Sequence, residues 1–268
     1  MGDLLKSKKL LKEKSIKIGN CGWSYLNADA YFPEWERHFK SKLQAYAKLF
    51  DLVEINSTFY AIPKVSTAKK WRDEVNEIKK DFEFTIKVSH LVTHKKPFSD
   101  YAFSAYEKMK EIAHALQAKI LVFQSPASFK PTEANINKAK KFFEKVDRDD
   151  LIFVWEVRWA KEWNESVVKK VFAEIGVNQC VDPLRQACFY AKDIVYYRLH
   201  GFGRPSMYHY KFSESELRKV SEIIKKERKD VYVLFNNAYC YEDALQFAKI
   251  TGLSKQNFIS RLNSEIKI

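Results

Sequence analysis

The sequence predicts an α/β fold, a (β/α)8 TIM barrel with a shortened sixth βα unit. Three observations predict it. Eight short runs rich in β-branched and aromatic residues are separated, with one exception, by stretches of helical periodicity. A chain of 268 residues, 46% hydrophobic, is long enough to bury one core of that size. Polar residues gather at the ends of nearly every strand run, and this fold builds its sites at those ends.

Ile16-Lys17-Ile18-Gly19-Asn20 reads as the first strand, and Cys21-Gly22-Trp23-Ser24-Tyr25 as its loop. A helix from about Lys42 leads to the second strand, Leu52 to Asn56. Helical periodicity covers Ser66 to Lys80. The third strand runs from Phe82, alternates apolar and polar residues, and turns polar after Val88. A helix over Tyr101 to Ala118 precedes the strand Ile120 to Gln124, and a helix over Asn135 to Val146 precedes the strand Leu151 to Val157. The helix Val167 to Ile175 leads to the short strand Asn178 to Asp182. Only about eleven residues then separate this strand from the seventh, Ile194 to Leu199, too few for a strand-length helix and its loops. The helix Ser213 to Arg228, the strand Val231 to Phe235 and the helix Tyr241 to Thr251 complete the barrel. Residues 1–15 read as a basic N-terminal arm and 16–268 as a single barrel domain, with no internal repeat.

Lys and Arg number 47 against 34 Asp and Glu, a formal charge of +13. An anionic partner follows, nucleic acid first, unless the lysines serve only solubility or heat resistance. The four cysteines form no CxxC pair, which fits a reduced cytoplasm, and no apolar run is long enough for a membrane span or signal peptide. No membrane association is expected. Neither a phosphate-binding P-loop, a dinucleotide GxGxxG nor a serine elbow is visible, and no cofactor is expected.

Lys87 is the unusual strand residue. It lies between Ile86 and Val88, where an unpaired ammonium is costly to bury. Either it forms an ion pair with Glu54 or Glu156, or its lowered pKa makes it a nucleophile that condenses with an aldehyde to a Schiff base. Glu54 and Glu156 are the acid–base candidates, or else a neutralising pair for Lys87 and Arg198. Arg158, Arg198 and His200 have the chemistry of anion ligands, with Gly201 and Gly203 allowing close backbone approach to a phosphate. Trp23, Tyr25, Phe59 and Tyr60 follow the first two strands and either stack on an unpaired base or form an apolar lid. Asn56, His94, Asp182, Asn236 and Asn237 complete the set of substrate-binding candidates; the two terminal asparagines either read base edges or cap the last strand.

A metal centre is the competing reading. Barrel phosphodiesterases of the endonuclease IV kind gather several His, Asp and Glu ligands around zinc. Here His90, His94 and His200 lie near strand ends with Glu54, Glu156 and Asp182, a thin set, and the segment between His90 and His94 does not read as a helix. No metal ligand is assigned.

Cys-Gly-Trp-Ser-Tyr at 21–25, Val-Glu-Ile-Asn-Ser-Thr-Phe-Tyr at 53–60, Phe-Thr-Ile-Lys-Val at 84–88 and Thr-His at 93–94 together resemble the DUF72 (YecE-like) family. So do Trp-Glu-Val-Arg at 155–158, Tyr-Arg-Leu-His-Gly at 197–201 and Phe-Asn-Asn at 235–237. The resemblance runs in order over about residues 16–250 and implies a TIM barrel of poorly defined function.

The residues lead to a DNA-processing enzyme of the base-excision kind as the first expectation, a DNA glycosylase or abasic-site lyase. Lys87 is its Schiff-base nucleophile, and Glu54 or Glu156 moves protons. Damaged or abasic DNA is its partner. The alternatives are a metal-dependent phosphodiesterase, a barrel enzyme acting on a small phosphorylated sugar or other anion, and a nucleic-acid-binding protein without catalysis.

Overall fold

The computed structural model describes residues 14–158 and 161–253. The basic arm, apart from Lys14 and Ser15, lies outside the described residues, as does the end of the domain from 254 to 268. Eight parallel strands close into a barrel in sequence order. They are β1 (Ile16–Asn20), β2 (Leu52–Ile55), β3 (Glu83–Lys87), β4 (Ile120–Ser125), β5 (Ile152–Val157), β6 (Asn178–Val181), β7 (Val195–Leu199) and β8 (Val231–Phe235). The outer helices are α1 (Lys42–Leu49), α2 (Val65–Asn76), α3 (His90–Thr93), α4 (Asp100–Leu116), α5 (Glu133–Lys145), α6 (Glu165–Ile175), α7 (Glu214–Lys226) and α8 (Cys240–Ile250). The chain is a TIM barrel.

Sequence chemistry sets the helix starts. The side chains of Ser41, Thr132, Asn164 and Ser213 each accept a backbone N–H from the first turn of α1, α5, α6 and α7. In α7, Glu216 returns the bond to the Ser213 backbone, completing a capping box. At the far end of α7, Lys14 Nζ donates to the carbonyls of Ile224, Lys225 and Glu227, so a cation meets the negative end of the helix dipole.

Period-two alternation gives each strand one face toward the barrel axis and one toward the helices. Outward side chains such as Phe84, Phe123, Phe153 and Trp155 pack under the helices in one large apolar core. Inside, a smaller cluster of Leu52, Ile120, Val122, Val154, Cys180, Tyr196 and Leu234 fills the middle of the barrel. The floor is polar: Glu83 accepts from Tyr232 Oη at 2.9 Å and pairs with Lys17. The Tyr232 ring stacks under Tyr196 at 5.9 Å and 15°, so a column of aromatic rings carries the axis up to the mouth. Gly19 on β1 permits a tight join to β2, because a Cβ there would sit 2.1 Å from the Leu52 carbonyl oxygen.

The sixth unit has no helix, as its length predicts. Two polar side chains pin the connecting strap instead. Asn178 Oδ1 accepts the backbone N–H groups of Lys192, Asp193 and Ile194, and Gln179 Oε1 accepts those of Phe189 and Tyr190. One reading of the sequence needs correction. The segment between His90 and His94 is a single α-helical turn, α3, with Ser89 Oγ accepting from Leu91 N. Four residues are too few to display a helical period.

Candidate active site at the barrel mouth

Period two brings Glu54 on β2, Lys87 on β3, Gln124 on β4, Glu156 on β5 and Arg198 on β7 to the same end of the barrel interior. Arg198 is the hub. Its side chain has no exposed surface, and Nη2 donates to Glu54 Oε1 at 2.8 Å. Nη1 donates to Glu156 Oε2 and, at 3.3 Å, to Gln124 Oε1. Nη2 also approaches Cys21 Sγ at 3.7 Å. One planar guanidinium thereby ties together residues of β2, β4 and β5 and the loop after β1, as its forked geometry allows.

The carboxylates are engaged on both oxygens. Glu54 Oε2 accepts from Tyr196 Oη at 3.0 Å, and Glu156 Oε1 accepts from Arg158 Nε at 2.8 Å. Burial works to raise the Glu156 pKa, but Arg198, His200 and Arg158 outweigh it and hold this carboxyl well below the usual carboxylate range. Glu156 is thus held as an anion across the neutral range. Arg198 is turned toward carboxylates and closed to solvent, so it is not available to a phosphate. Its role is to hold the wall of the site.

Lys87 is different. It is 5% exposed, yet among the described residues its ammonium forms no ion pair, so the expected alternative of a pair with Glu54 or Glu156 does not hold. Its Nζ lies 3.9 Å from the centre of the Phe59 ring, a cation–π contact. Burial lowers its pKa to about 8, with Arg198 adding to the effect and Glu54 and Glu156 opposing it. At pH 7 roughly a tenth of such an amine is neutral, against well under a thousandth for an ordinary lysine. Thr58 Oγ1 sits 2.7 Å from both the Ile55 and Lys87 carbonyls, so the Phe59 turn is tied to the strand that carries the lysine.

His94 shares that ring. Its imidazole meets Phe59 edge-on at 4.9 Å, while Thr93 Oγ1 lies 2.9 Å from Nδ1. Burial, then Lys87 and Arg158, lower its pKa to about 4, so it is a neutral imidazole across the neutral range. His90 Nδ1 bonds the Phe59 carbonyl at 2.7 Å. The helical turn α3 therefore places two histidines around one aromatic ring.

Arg158 stands at the rim with 14% of its side chain exposed. Its Nη2 lies 3.1 Å from Gln124 Oε1, 3.5 Å from His200 Nε2 and 3.0 Å from Tyr208 Oη. Tyr208 was not legible in the sequence, because it comes from an irregular loop after β7. Gly201 and Gly203 shape that loop. A Cβ on Gly201 would meet Tyr210 Cβ at 2.4 Å, and one on Gly203 would meet the His209 carbonyl oxygen at 2.2 Å. Their close approach is to the loop itself, which corrects the expectation of a phosphate cradle.

The remaining candidates divide. Asp182 is spent on structure, accepting from the backbone N–H groups of Leu184 and His200 at 3.1 and 3.0 Å. His200 is buried beside it, and burial lowers its pKa against the pull of Glu156. Asn56 is half-buried, with an Oδ1 that has no hydrogen-bond partner among the described residues. Trp23 packs edge-on against Trp71 at 5.2 Å. Tyr25 and Tyr60 are 92% and 72% exposed. Asn236 donates its backbone N–H to the Leu199 carbonyl. Asn237 Nδ2 donates to the Tyr210 carbonyl and to Asp243 Oδ2, so its amide anchors the β7 loop.

Among the described residues, no group of three or more His, Cys, Asp or Glu side chains is disposed to hold a metal ion. The described histidines at the mouth spend ring contacts on Phe59 and Glu156 instead. No helix among the described residues is long and apolar enough to cross a membrane.

With this arrangement in view, the family model described as "Protein of unknown function DUF72" matches residues 17–265. The chain belongs to this family. The UPF0759 protein YunF of Bacillus subtilis is 27% identical over 262 residues, 83% of this chain and 88% of that protein. The UPF0759 protein YecE of Escherichia coli O157:H7 is 28% identical over 173 residues, 62% of this chain and 58% of that protein. Among solved structures, a DUF72 family protein of Enterococcus faecalis superposes with a TM-score of 0.70 at 22% identity, over 90% of this chain and 97% of that one. A D-psicose 3-epimerase of Clostridium cellulolyticum superposes with a TM-score of 0.53 at 10% identity, over 92% and 96%. These structural likenesses speak for the barrel. The DUF72 motifs converge on the Lys87–Arg198 end of it.

Proposed function

We propose that this DUF72 barrel is an enzyme whose Lys87 amine attacks a carbonyl carbon of an anionic substrate, the aldehydic sugar of an abasic site in DNA. The observation that carries the reading is the Lys87 ammonium: buried, without an ion pair, and with a pKa lowered to about 8 beside a neutral imidazole. A lysine needed only for folding is served better by one of the carboxylates a short distance below it.

The chemistry balances with the groups at the mouth. The neutral Lys87 amine adds to the aldehyde carbon, and loss of water leaves a protonated imine on Nζ. The imine withdraws electrons from the adjacent carbon, whose proton passes to a base. His94, neutral in this pH range, is suited to take it. The electron pair released from that carbon–hydrogen bond forms a carbon–carbon double bond and expels the 3′ phosphate. Water then cleaves the imine and returns the free amine. Arg158, fixed at the rim by Glu156 and Tyr208, is suited to place a positive charge beside a phosphate. Arg198 engages Glu54 and Glu156, and neither carboxylate forms an ion pair with Lys87 among the described residues.

The charge of +13 favours a polyanion over a small metabolite. A small phosphorylated sugar is the second reading, favoured by the enclosed, only partly exposed position of Arg158 at the rim. Borohydride trapping separates the two. The protein is incubated with abasic-site DNA, or with a small aldose phosphate, in the presence of borohydride, with EDTA in half of the samples. A covalent DNA adduct that survives EDTA and is lost in Lys87→Ala is expected. An adduct with the sugar phosphate alone makes the second reading the better one. EDTA-sensitive strand cleavage without an adduct overturns amine catalysis.

A further inference from the structure

The loops around the mouth carry a feature that the lysine chemistry does not use. The exposed large apolar side chains among the described residues are Tyr25, Tyr60, Val65, Tyr101, Phe202, Tyr239 and Leu253. All but Leu253 lie in the segments that follow strands, at the same end of the barrel as Lys87. The aromatic ones are not scattered around it. Phe202 follows β7, Tyr239 follows β8, Tyr25 follows β1, Tyr60 follows β2, and Tyr101 opens α4 beyond β3. Since the barrel closes in the order β1 to β8, with β8 next to β1, these five rings occupy consecutive units. The segments after β4, β5 and β6 contribute no exposed aromatic ring among the described residues.

Parts of the same arc are poor in acid. Residues 56–64, 88–99, 200–213 and 236–239 contain no Asp or Glu, while Lys64, Lys95, Lys96, Arg204 and Lys211 lie within them; the acids of the arc are Asp29, Glu34 and Glu36, beyond Tyr25 in the segment after β1, and Asp100 beside Tyr101. Two cations stand over the rings themselves: the Arg185 guanidinium lies 4.3 Å from the centre of Phe202, and Lys211 Nζ lies 5.6 Å from that of Tyr239. Solvated aromatic faces interleaved with cations suit a ligand that offers flat faces and phosphates in alternation. A duplex keeps its base faces stacked inside, so projecting rings would find nothing to stack on.

We infer that this arc is a track for single-stranded nucleic acid, running over units seven, eight, one, two and three and past the β3 end where Lys87 stands. The inference rests on the proposed DNA-directed reading and adds the form of the substrate: an unpaired strand, its bases stacked on Phe202, Tyr239, Tyr25, Tyr60 and Tyr101 in that order around the barrel.

Unmodified DNA tests it without any chemistry. Fluorescence anisotropy is measured with a fluorescein-labelled oligothymidylate and with a labelled duplex of equal length. Tighter binding of the single strand is expected, and Tyr25→Ala and Tyr60→Ala should each weaken it by about tenfold. Both side chains project into solvent, so the variants keep their fold, which circular dichroism verifies. Equal binding of the duplex, or undiminished binding by the variants, overturns the track. Self-association that disappears in the same variants, seen by sedimentation, also overturns it and makes the arc a contact between copies of the chain. Strand binding without a borohydride adduct would refute lysine catalysis and leave the track standing; an adduct without strand preference would do the reverse.

Discussion

Arg198 Nη2 and Glu54 Oε1 lie 2.8 Å apart, and neither side chain has any exposed surface. The second terminal nitrogen of the same guanidinium faces Glu156. Removing the cation would strand two carboxylates in the dry interior, and breaking a buried pair in this way costs about 3–5 kcal/mol. Arg198→Met should therefore lower the unfolding free energy, obtained from urea titration, by an amount in that range. Glu54→Gln, which leaves Glu156 to compensate the arginine, should cost less. Equal losses would mean that Glu156 does not share the charge.

The Lys87 pKa sets a pH dependence of stability. The folded value, about 8, lies below the ordinary 10.5, so between these values the unfolded chain holds more protons and stability rises with pH. Below pH 8 the buried ammonium is a burden on the order of 3 kcal/mol. Lys87→Met should consequently be more stable than the parent at pH 7. Its advantage should shrink from pH 8 to 10.5 and disappear above. Parallel urea titrations of the two proteins across that range measure it.

Tyr208 tests the rim. Tyr208→Phe removes one acceptor from Arg158 but leaves Gln124 and Glu156 in place. Stability should change by less than about 1 kcal/mol. If Arg158 holds the substrate phosphate, the concentration of abasic DNA needed for half-maximal trapping should rise about three- to tenfold. The yield at saturation should stay the same. A fall in that yield alone would place Tyr208 in the chemical step instead.

Asn178 is one of the two side chains that pin the strap of the sixth unit. Asn178→Ala withdraws the acceptor shared by Lys192, Asp193 and Ile194, at a cost of about 2–3 kcal/mol. Hydrogen exchange should accelerate first in residues 183–193, ahead of the neighbouring strands. Uniform acceleration across the barrel would show that the strap opens only with the whole fold.

Strand position, and with it the convergence of Glu54, Lys87, Glu156 and Arg198, was legible because period two is a local property of the sequence. Which polar groups pair was not. Lys87 and Arg198 look alike in a string of letters, yet one faces an aromatic ring and the other two carboxylates. That difference depends on depth along the axis and on register between strands far apart in sequence. The glycines at 201 and 203 misled for a related reason: once a strand ends, alternation no longer says what a residue faces. Tyr208 and α3 were missed because loops and single turns have no period to detect.

The order in which the chain is synthesised gives the Arg198 hub a further meaning. Arg198 follows Glu156 by 42 residues and Glu54 by 144. Glu156 has a second counter-ion in Arg158, two residues on, but Glu54 leaves the ribosome long before Arg198 and must stay hydrated or protonated until β7 docks. Water therefore cannot be expelled from the mouth while the barrel is still an open sheet. Closing the barrel and lowering the Lys87 pKa, through burial and the approach of Arg198, are then one event.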